Sequence, residues 1–269
     1  DHRDLHSFPT RRSSDLTAIQ IAQEAGVLLR ERWYRPHDTR SKGYRDVVTE
    51  ADLASEKIIL SRLHAAFPDH ALTSEEAGAD GEDSQVRWLI DPVDGTTNFS
   101  RNNPNFCISI AAIEAGRPVV GVVYDPLRDH CFAARLNGGA TLNNTPIHVS
   151  AIARVEDAVF AADWGREPEL RKIAWSYAGS LLAHAQTMRA LGAAALNIAY
   201  LATGWIDLYL SRHLYPWDQA AAALIVQEAG GVTATLSGHP WTPDSPDPLF
   251  AATPALLESV HALRLGVEE

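Results

Sequence analysis

Cysteine is scarce: Cys107 and Cys131 are the only two in 269 residues, and their spacing matches no metal-binding motif. That excludes a disulfide scaffold and a zinc-ribbon type of site, and both thiols are expected to be buried in β-like stretches of a protein from a reducing compartment. Basic residues are also in the minority, 23 Lys and Arg against 34 Asp and Glu, for a formal charge of -11. Such a balance disfavours general binding to nucleic-acid phosphates or to an anionic membrane. Long apolar runs are missing too; stretches such as "AAAALIVQEAGG" are too short or too interrupted to cross a bilayer, and no basic-then-apolar signal pattern occurs. A soluble, cytoplasmic protein with neither a nucleic-acid polymer nor a membrane as partner is expected. Small molecules and cations suit it better.

What is present is 46% apolar residues, ample for a sizeable core. Residues 1–16, "DHRDLHSFPTRRSSDL", have no amphipathic period and resemble the translation of a short sequencing adapter, so they are expected to be a non-native, disordered extension. From Thr17 a helical pattern begins, with Ile19, Ala22, Val27 and Leu28 near one face. A second helix is predicted after Thr49, capped by that residue with Asp52 three positions on, its apolar stripe supplied by Leu53, Ile59, Leu60 and Leu63. From Arg87 to Arg135 the segments "RWLID", "FCISIAAIEAG", "PVVGVVYDP" and "HCFAARL" read as strands separated by turn signals. Beyond Ser150 strands and helices alternate. The expected organisation is an α/β chain with an N-terminal half over 17–150 and a C-terminal half over 151–269 that completes a cleft.

Four acidic segments stand out: "RDVVTEAD", "SEEAG", "DPVDGTT" and "PWDQAA". Taken singly, each fits a helix cap or a solvated turn. Taken together, they supply enough carboxylate oxygen for a cation cluster. Asp91 ends an apolar strand, Pro92 stiffens the turn and Asp94 follows closely, so both carboxylates are expected to converge above the strand end. Hard oxygen donors suit Mg2+, which keeps waters or phosphate oxygens in its remaining positions. Gly95 removes a Cβ where a phosphate would approach the main chain, and the amides of Gly95, Thr96 and Thr97 are expected to open a helix toward an anion. Asp218 starts an apolar helix, where capping is the plain role, and it is also placed to bring a ligand from the other half of the chain. Glu75 or Glu76 would complete a cluster whose mutual repulsion calls for cations. Two or more Mg2+ ions about 3.5–4 Å apart would stabilise both oxygens of an in-line phosphate displacement.

With "GVVYDP" and the longer "WLIDPVDGTTNF" and "PWDQAAAALIVQEAGG", these motifs resemble the inositol monophosphatase family of Mg2+-dependent, lithium-sensitive phosphatases, from about Thr17 to near the end. The resemblance implies a layered α/β fold of alternating helices and sheets, a homodimer, and two to three Mg2+ ions. It also implies metal ligands at Glu75, Asp91, the Val93 carbonyl, Asp94 and Asp218. Asp46 and Thr96, with Glu75, would activate the attacking water, while Gly95 and Thr96 bind phosphate and Ala194 lines the substrate pocket. The implied activity is hydrolysis of inositol monophosphate or a similar small polyol phosphate by metal-activated water, without a phosphoenzyme.

"DGTTNF" is similar to the inositol branch, whereas "DGTKEF" and "DGTRAF" are similar to nucleotide bisphosphate and histidinol phosphatases. Seven residues before Asp218, where the family's inositol enzymes resemble one another in a glutamate that bonds sugar hydroxyls, this chain has Ser211 followed by Arg212 and His213. Ser211 is therefore the candidate substrate-selecting position, and its two neighbours are candidates for meeting a second anionic group. The same chemistry on histidinol phosphate, fructose 1,6-bisphosphate or a nucleotide 3',5'-bisphosphate is the alternative. From another class, a non-catalytic metal- or phosphate-binding regulator would keep the fold.

Overall fold

The computed structural model describes residues 11–44, 46–81 and 84–263. Helix α1 (Arg11–Trp33) buries Ala18, Ile21, Ala22, Ala25 and Leu29, a stripe at three- and four-residue spacing. Val27 falls outside that stripe and is 45% exposed, so the face expected from the sequence is rotated. The helix starts at Arg11, ahead of Thr17, with Ser14 buried and the Asp15 carboxylate 3.2 Å from Arg135 Nη1. The expected disordered extension is thereby corrected for 11–16. A helix already nucleated by its buried stripe adds residues at little cost, and here the added turn gains burial and an ion pair. Residues 1–10 lie outside the described residues.

A two-stranded hairpin of β1 (Thr39–Gly43) and β2 (Asp46–Thr49) leads into α2 (Glu50–Ala66). Thr49 and Asp52 form the predicted capping box. Ile59 and Leu63 are buried, but Leu53 is 46% exposed and leaves the stripe.

The larger sheet has eight strands: β3 (Ala71–Ser74), β4 (Gly78–Asp80), β5 (Val86–Asp94), β6 (Cys107–Glu114), β7 (Arg117–Asp125), β8 (His130–Arg135), β9 (Ala140–Leu142) and β10 (Thr145–Pro146). Their order is β10-β9-β8-β7-β6-β5-β3-β4, antiparallel except for β3 beside β5. A short helix α3 (Thr96–Ser100) follows β5. The second sheet runs β12-β11-β13-β15-β14, built from β11 (Val159–Ala162), β12 (Thr187–Arg189), β13 (Leu208–Leu210), β14 (Val232–Thr235) and β15 (Pro248–Ala251). Helices α4 (Pro168–Leu182), α5 (Ala194–Ala202), α6 (Pro216–Glu228) and α7 (Pro254–Ala262) complete the fold.

Strand periodicity sorts the side chains into layers. Trp88, Ile90 and Val122 face α1 and α2, whereas Leu89, Ala111 and Val123 face the layer of α5 and α6. Ala161, Tyr209 and Phe250 of the second sheet cover the other side of that layer. Phe160, Leu208 and Leu249 turn outward against Tyr177 and Leu181 of α4 and Leu256 and Val260 of α7. The order is thus helix pair, sheet, helix pair, sheet, helix pair, the layered α/β architecture expected. Helix α6 lies so close to β7 that a Cβ on Gly121 would stand 2.4 Å from the Ala221 carbonyl oxygen. Cys107 and Cys131 are buried and unbridged. No described helix is long and apolar enough to cross a membrane.

Candidate active site

Residues three apart in a regular strand point to opposite faces, so Asp91 and Asp94 would be separated by the sheet. Strand β5 does not end at Asp91, as the sequence suggests, but continues to Asp94 through an irregularity. Asp91 lies opposite Ser109 and Asp94 opposite Cys107, so three steps on β5 match two on β6. This one-residue bulge puts both carboxylates on the face toward α6. Ser55 of α2 donates to the Pro92 carbonyl at 3.0 Å and Val93 N donates to Asp91 Oδ1 at 3.0 Å, which fixes the bulge from both sides.

The chain then turns through Gly95 at φ +93, where a Cβ would stand 2.9 Å from the Asn105 carbonyl oxygen. Only glycine adopts that left-handed turn at such close approach without strain. Helix geometry leaves the first amides of α3 without intrahelical acceptors. The Asn98 side-chain amide donates to the carbonyls of Asn105 at 2.6 Å and Leu191 at 2.7 Å, tying this turn to the segment before α5.

A cleft of about 600 Å³ opens here between the two sheets, lined by Asp46, Glu75, Asp91, Val93, Asp94, Gly95, Thr96, Ala194 and Asp218. Of the sequence-predicted site residues, Ser211, Arg212 and Glu76 are not in that wall. Helix α5 turns its N-terminus to Asp94, whose Oδ1 accepts from Ala194 N at 3.1 Å and Oδ2 from Ala195 N at 2.7 Å. Asp218 caps α6 by accepting from Tyr215 N at 2.8 Å and lines the cleft as well, so the capping and ligand readings coexist.

Two assignments change. Thr96 Oγ1 lies 2.9 Å from Asp52 Oδ1 and 3.1 Å from the Val93 carbonyl, whereas Asp46 Oδ1 lies 2.9 Å from Arg166 Nη2. The carboxylate that meets Thr96 is therefore Asp52, at the first turn of α2, and not Asp46, beside the turn of the hairpin. The "TEAD" cap signature marked Asp52 as structural and concealed this second contact. Ser211 is fully buried, its backbone N bonded to the Pro248 carbonyl, and it does not line the cleft. Arg212 pairs with Asp247 at 3.6 Å, while His213 does reach the cleft wall. Lys42, Asp163 and Arg166 were not foreseen: Asp163 and Arg166 lie far in sequence from the acidic motifs, and Lys42, four residues before Asp46, carries no ligand-type side chain.

Electrostatics mark the cluster as one unit. Burial, then the charges of Glu75, Asp94 and Asp218, hold the Asp91 carboxyl well above the ordinary carboxylate range. Asp218 is raised in the same direction by burial and by Asp94. Burial and the charge of Asp163 push Asp94 up to about 7, against the hydrogen bonds from α5. Asp52 is pushed up to about 6 by burial, opposed by its bonds from Thr49 and Thr96. On the hairpin side, Lys42 Nζ meets Glu75 at 3.0 Å and also bonds Glu76.

Carboxylates and a carbonyl are the hard oxygen donors that Mg2+ takes, and their mutual repulsion is what a divalent cation relieves. Among the described residues no three His, Cys, Asp or Glu side chains stand close enough together to hold a metal ion between them, and Lys42 and Arg166 meet part of the acidic charge. An open donor set of this kind fits an ion that retains water or substrate oxygens.

The architecture recurs in known proteins. The chain is 38% identical over 219 residues to the Nus factor SuhB of Haemophilus influenzae, covering 80% of this chain and 82% of that protein. It is 37% identical to the Nus factor SuhB of Escherichia coli K12, covering 82% and 84%. Among solved structures, the extragenic suppressor protein suhB of Bartonella henselae superposes with a TM-score of 0.88 at 33% identity, covering 95% of this chain and 100% of that one. The inositol monophosphatase of Anabaena superposes with a TM-score of 0.83 at 30% identity, covering 94% and 95%. Residues 11–268 match the model of the inositol monophosphatase family, and the chain belongs to that family.

Proposed function

We propose that this chain is a Mg2+-dependent phosphomonoesterase acting on inositol monophosphate or a similar small polyol phosphate. One observation carries the reading: Asp91 and Asp94 of β5 and Asp218 at the start of α6 line one cleft beside the Gly95 turn, where burial and neighbouring carboxylates raise their proton affinity. Glu75, Asp91, the Val93 carbonyl, Asp94 and Asp218 are the residues that would hold Mg2+. When bound, Mg2+ supplies Lewis acidity, lowering the pKa of water and neutralising charge on the departing oxygen.

The chain's own groups do the rest. The amides of Gly95, Thr96 and Thr97 orient the phosphate. Thr96 Oγ1 donates to Asp52 Oδ1 and turns a lone pair to the attacking water, so a proton leaving that water has a relay to Asp52. Water oxygen bonds to phosphorus as the bond from phosphorus to the ester oxygen breaks, and the alkoxide takes a proton from solvent. Neither cysteine serves as nucleophile, because both thiols are buried and pushed up by that burial. The same reading carries two to three Mg2+ ions, inhibition by lithium and a homodimer.

The test is phosphate release from inositol, glycerol, histidinol, fructose 1,6- and nucleotide 3',5'-phosphate esters, with Mg2+ or EDTA and with or without lithium. Release that requires Mg2+ and favours the polyol esters is expected; no release from any ester would overturn the reading. A second reading, a Nus-factor role, is favoured by the names of the SuhB relatives. The acidic balance speaks against direct contact with a nucleic-acid backbone, not against a role exercised through a protein partner.

A further inference from the structure

The phosphate end of the cleft is built from β5 and α3, whereas its opposite wall comes from the second sheet through Asp163, Trp164, Gly192 and Ala194. With Ser211 buried, the position expected to bond substrate hydroxyls is withdrawn from that wall. Asp163 stands where it is missing. It follows β11 directly, and Ala161 and Tyr209 are register partners on the neighbouring strand, so Asp163 and Ser211 share one face of the sheet. The Asp163 carboxylate is anchored from behind: Oδ2 accepts from Asn197 Nδ2 at 2.8 Å and from the Tyr209 hydroxyl at 3.2 Å, and the Gly192 amide bonds it as well. A carboxylate has about four acceptor sites, so these three donors hold its orientation and leave capacity toward the cleft. Its charge is felt at Asp94, which places it beside the phosphate end. Trp164, next in sequence and 39% exposed, adds an apolar ring surface to the same wall.

We propose that Asp163 is the specificity-determining residue that accepts hydrogen bonds from hydroxyls of the alcohol half of the substrate, with Trp164 covering its carbon-bound face. The inference rests on the reading of the cleft as a phosphate-ester site. An oriented, acceptor-only carboxylate rewards a polyol and gives nothing to an alcohol that lacks hydroxyls.

The experiment compares inositol monophosphate with phenyl phosphate in the native protein, Asp163→Ala and Asp163→Asn, with Mg2+ present. Loss of a hydrogen bond to a charged group predicts that kcat/KM for the polyol ester falls about tenfold or more relative to that for phenyl phosphate, the selective part carried by KM, since any change at Asp94 that follows from losing the Asp163 charge is common to both esters. An equal fall on both esters, or an unchanged preference, overturns the assignment. Asp163→Asn keeps an acceptor for Asn197 and decides the question if the alanine variant melts below the assay temperature. If the native protein cleaves neither ester, the phosphatase reading fails, and calorimetric titration of the same two esters still tests Asp163. Selective weakening of the polyol ester supports the assignment there, and equal or absent weakening overturns it.

Discussion

Replacing Asp94 by Asn should raise the stability of the metal-free protein while removing its activity. In the folded chain the Asp94 carboxyl is pushed up to about 7, from 3.8 in the open. A carboxyl raised by folding takes up its proton earlier in the folded than in the unfolded chain as pH falls, so stability declines as pH rises from 3.8 through about 7. The displacement makes folding about 4 kcal/mol less favourable at pH 8 and about 2 kcal/mol at pH 5, where the folded carboxyl keeps its proton. Asn carries no charge and escapes both penalties. Against that, its amide nitrogen faces one of the donors now bonding the carboxylate, Ala194 N or Ala195 N, a loss of about 1–3 kcal/mol. The net expectation is a gain of about 1–3 kcal/mol at pH 8 and almost none at pH 5. Urea unfolding in EDTA at both pH values measures this, with phosphate release in Mg2+ expected to drop on the order of a hundredfold. A variant less stable than the native chain at pH 8, or a change equal at both pH values, would refute the reasoning.

Four further perturbations address the same wall. Thr96→Val cuts the relay to Asp52 and should lower kcat on the order of a hundredfold with little change in Tm; unaltered kcat would remove Thr96 from the mechanism. Because Asp52 is pushed up to about 6 and acts ionised, kcat of the native chain should fall as pH drops through about 6, and Asp52→Asn should abolish that limb of the profile. Gly95→Ala forces a side chain into φ +93 against the Asn105 carbonyl, costing about 1–2 kcal/mol before the clash; a thermal melt matching that of the native chain would contradict the geometry. Asn98→Ala releases the brace to Asn105 and Leu191, and should lower unfolding free energy by about 1–3 kcal/mol and raise KM together.

The carboxylate cluster was legible because "DPVDGTT" and "PWDQAA" pack ligand-type residues at short range, and local spacing is what a sequence displays. The alternating strands were legible for the same reason. Partners set by long-range pairing were not. The bulge that aligns Asp91 with Asp94 exists only relative to Ser109 and Cys107 of β6. Asp163 gains its meaning from Asn197 and Tyr209, on two other elements. Asp46 and Asp52 lie in one acidic segment, and only the entry angle of α2 decides which of them meets Thr96. Val27 and Leu53 are apolar side chains that the helix rotation leaves in solvent, since burial depends on the neighbouring layer and not on hydropathy alone.

The bulge in β5 also decides which layer of the molecule Asp94 enters, in a way that composition conceals. Ile90 and Val93 already point beneath α1 and α2, on the face opposite to Asp91 and Asp94. Even pairing with β6 at the present chain length would set Asp94 opposite Phe106 and swing it through the sheet into that hydrocarbon layer, without altering a single acidic side chain. The offset of β5 against β6, as much as the identity of the two acids, thus decides whether both carboxylates reach the cleft.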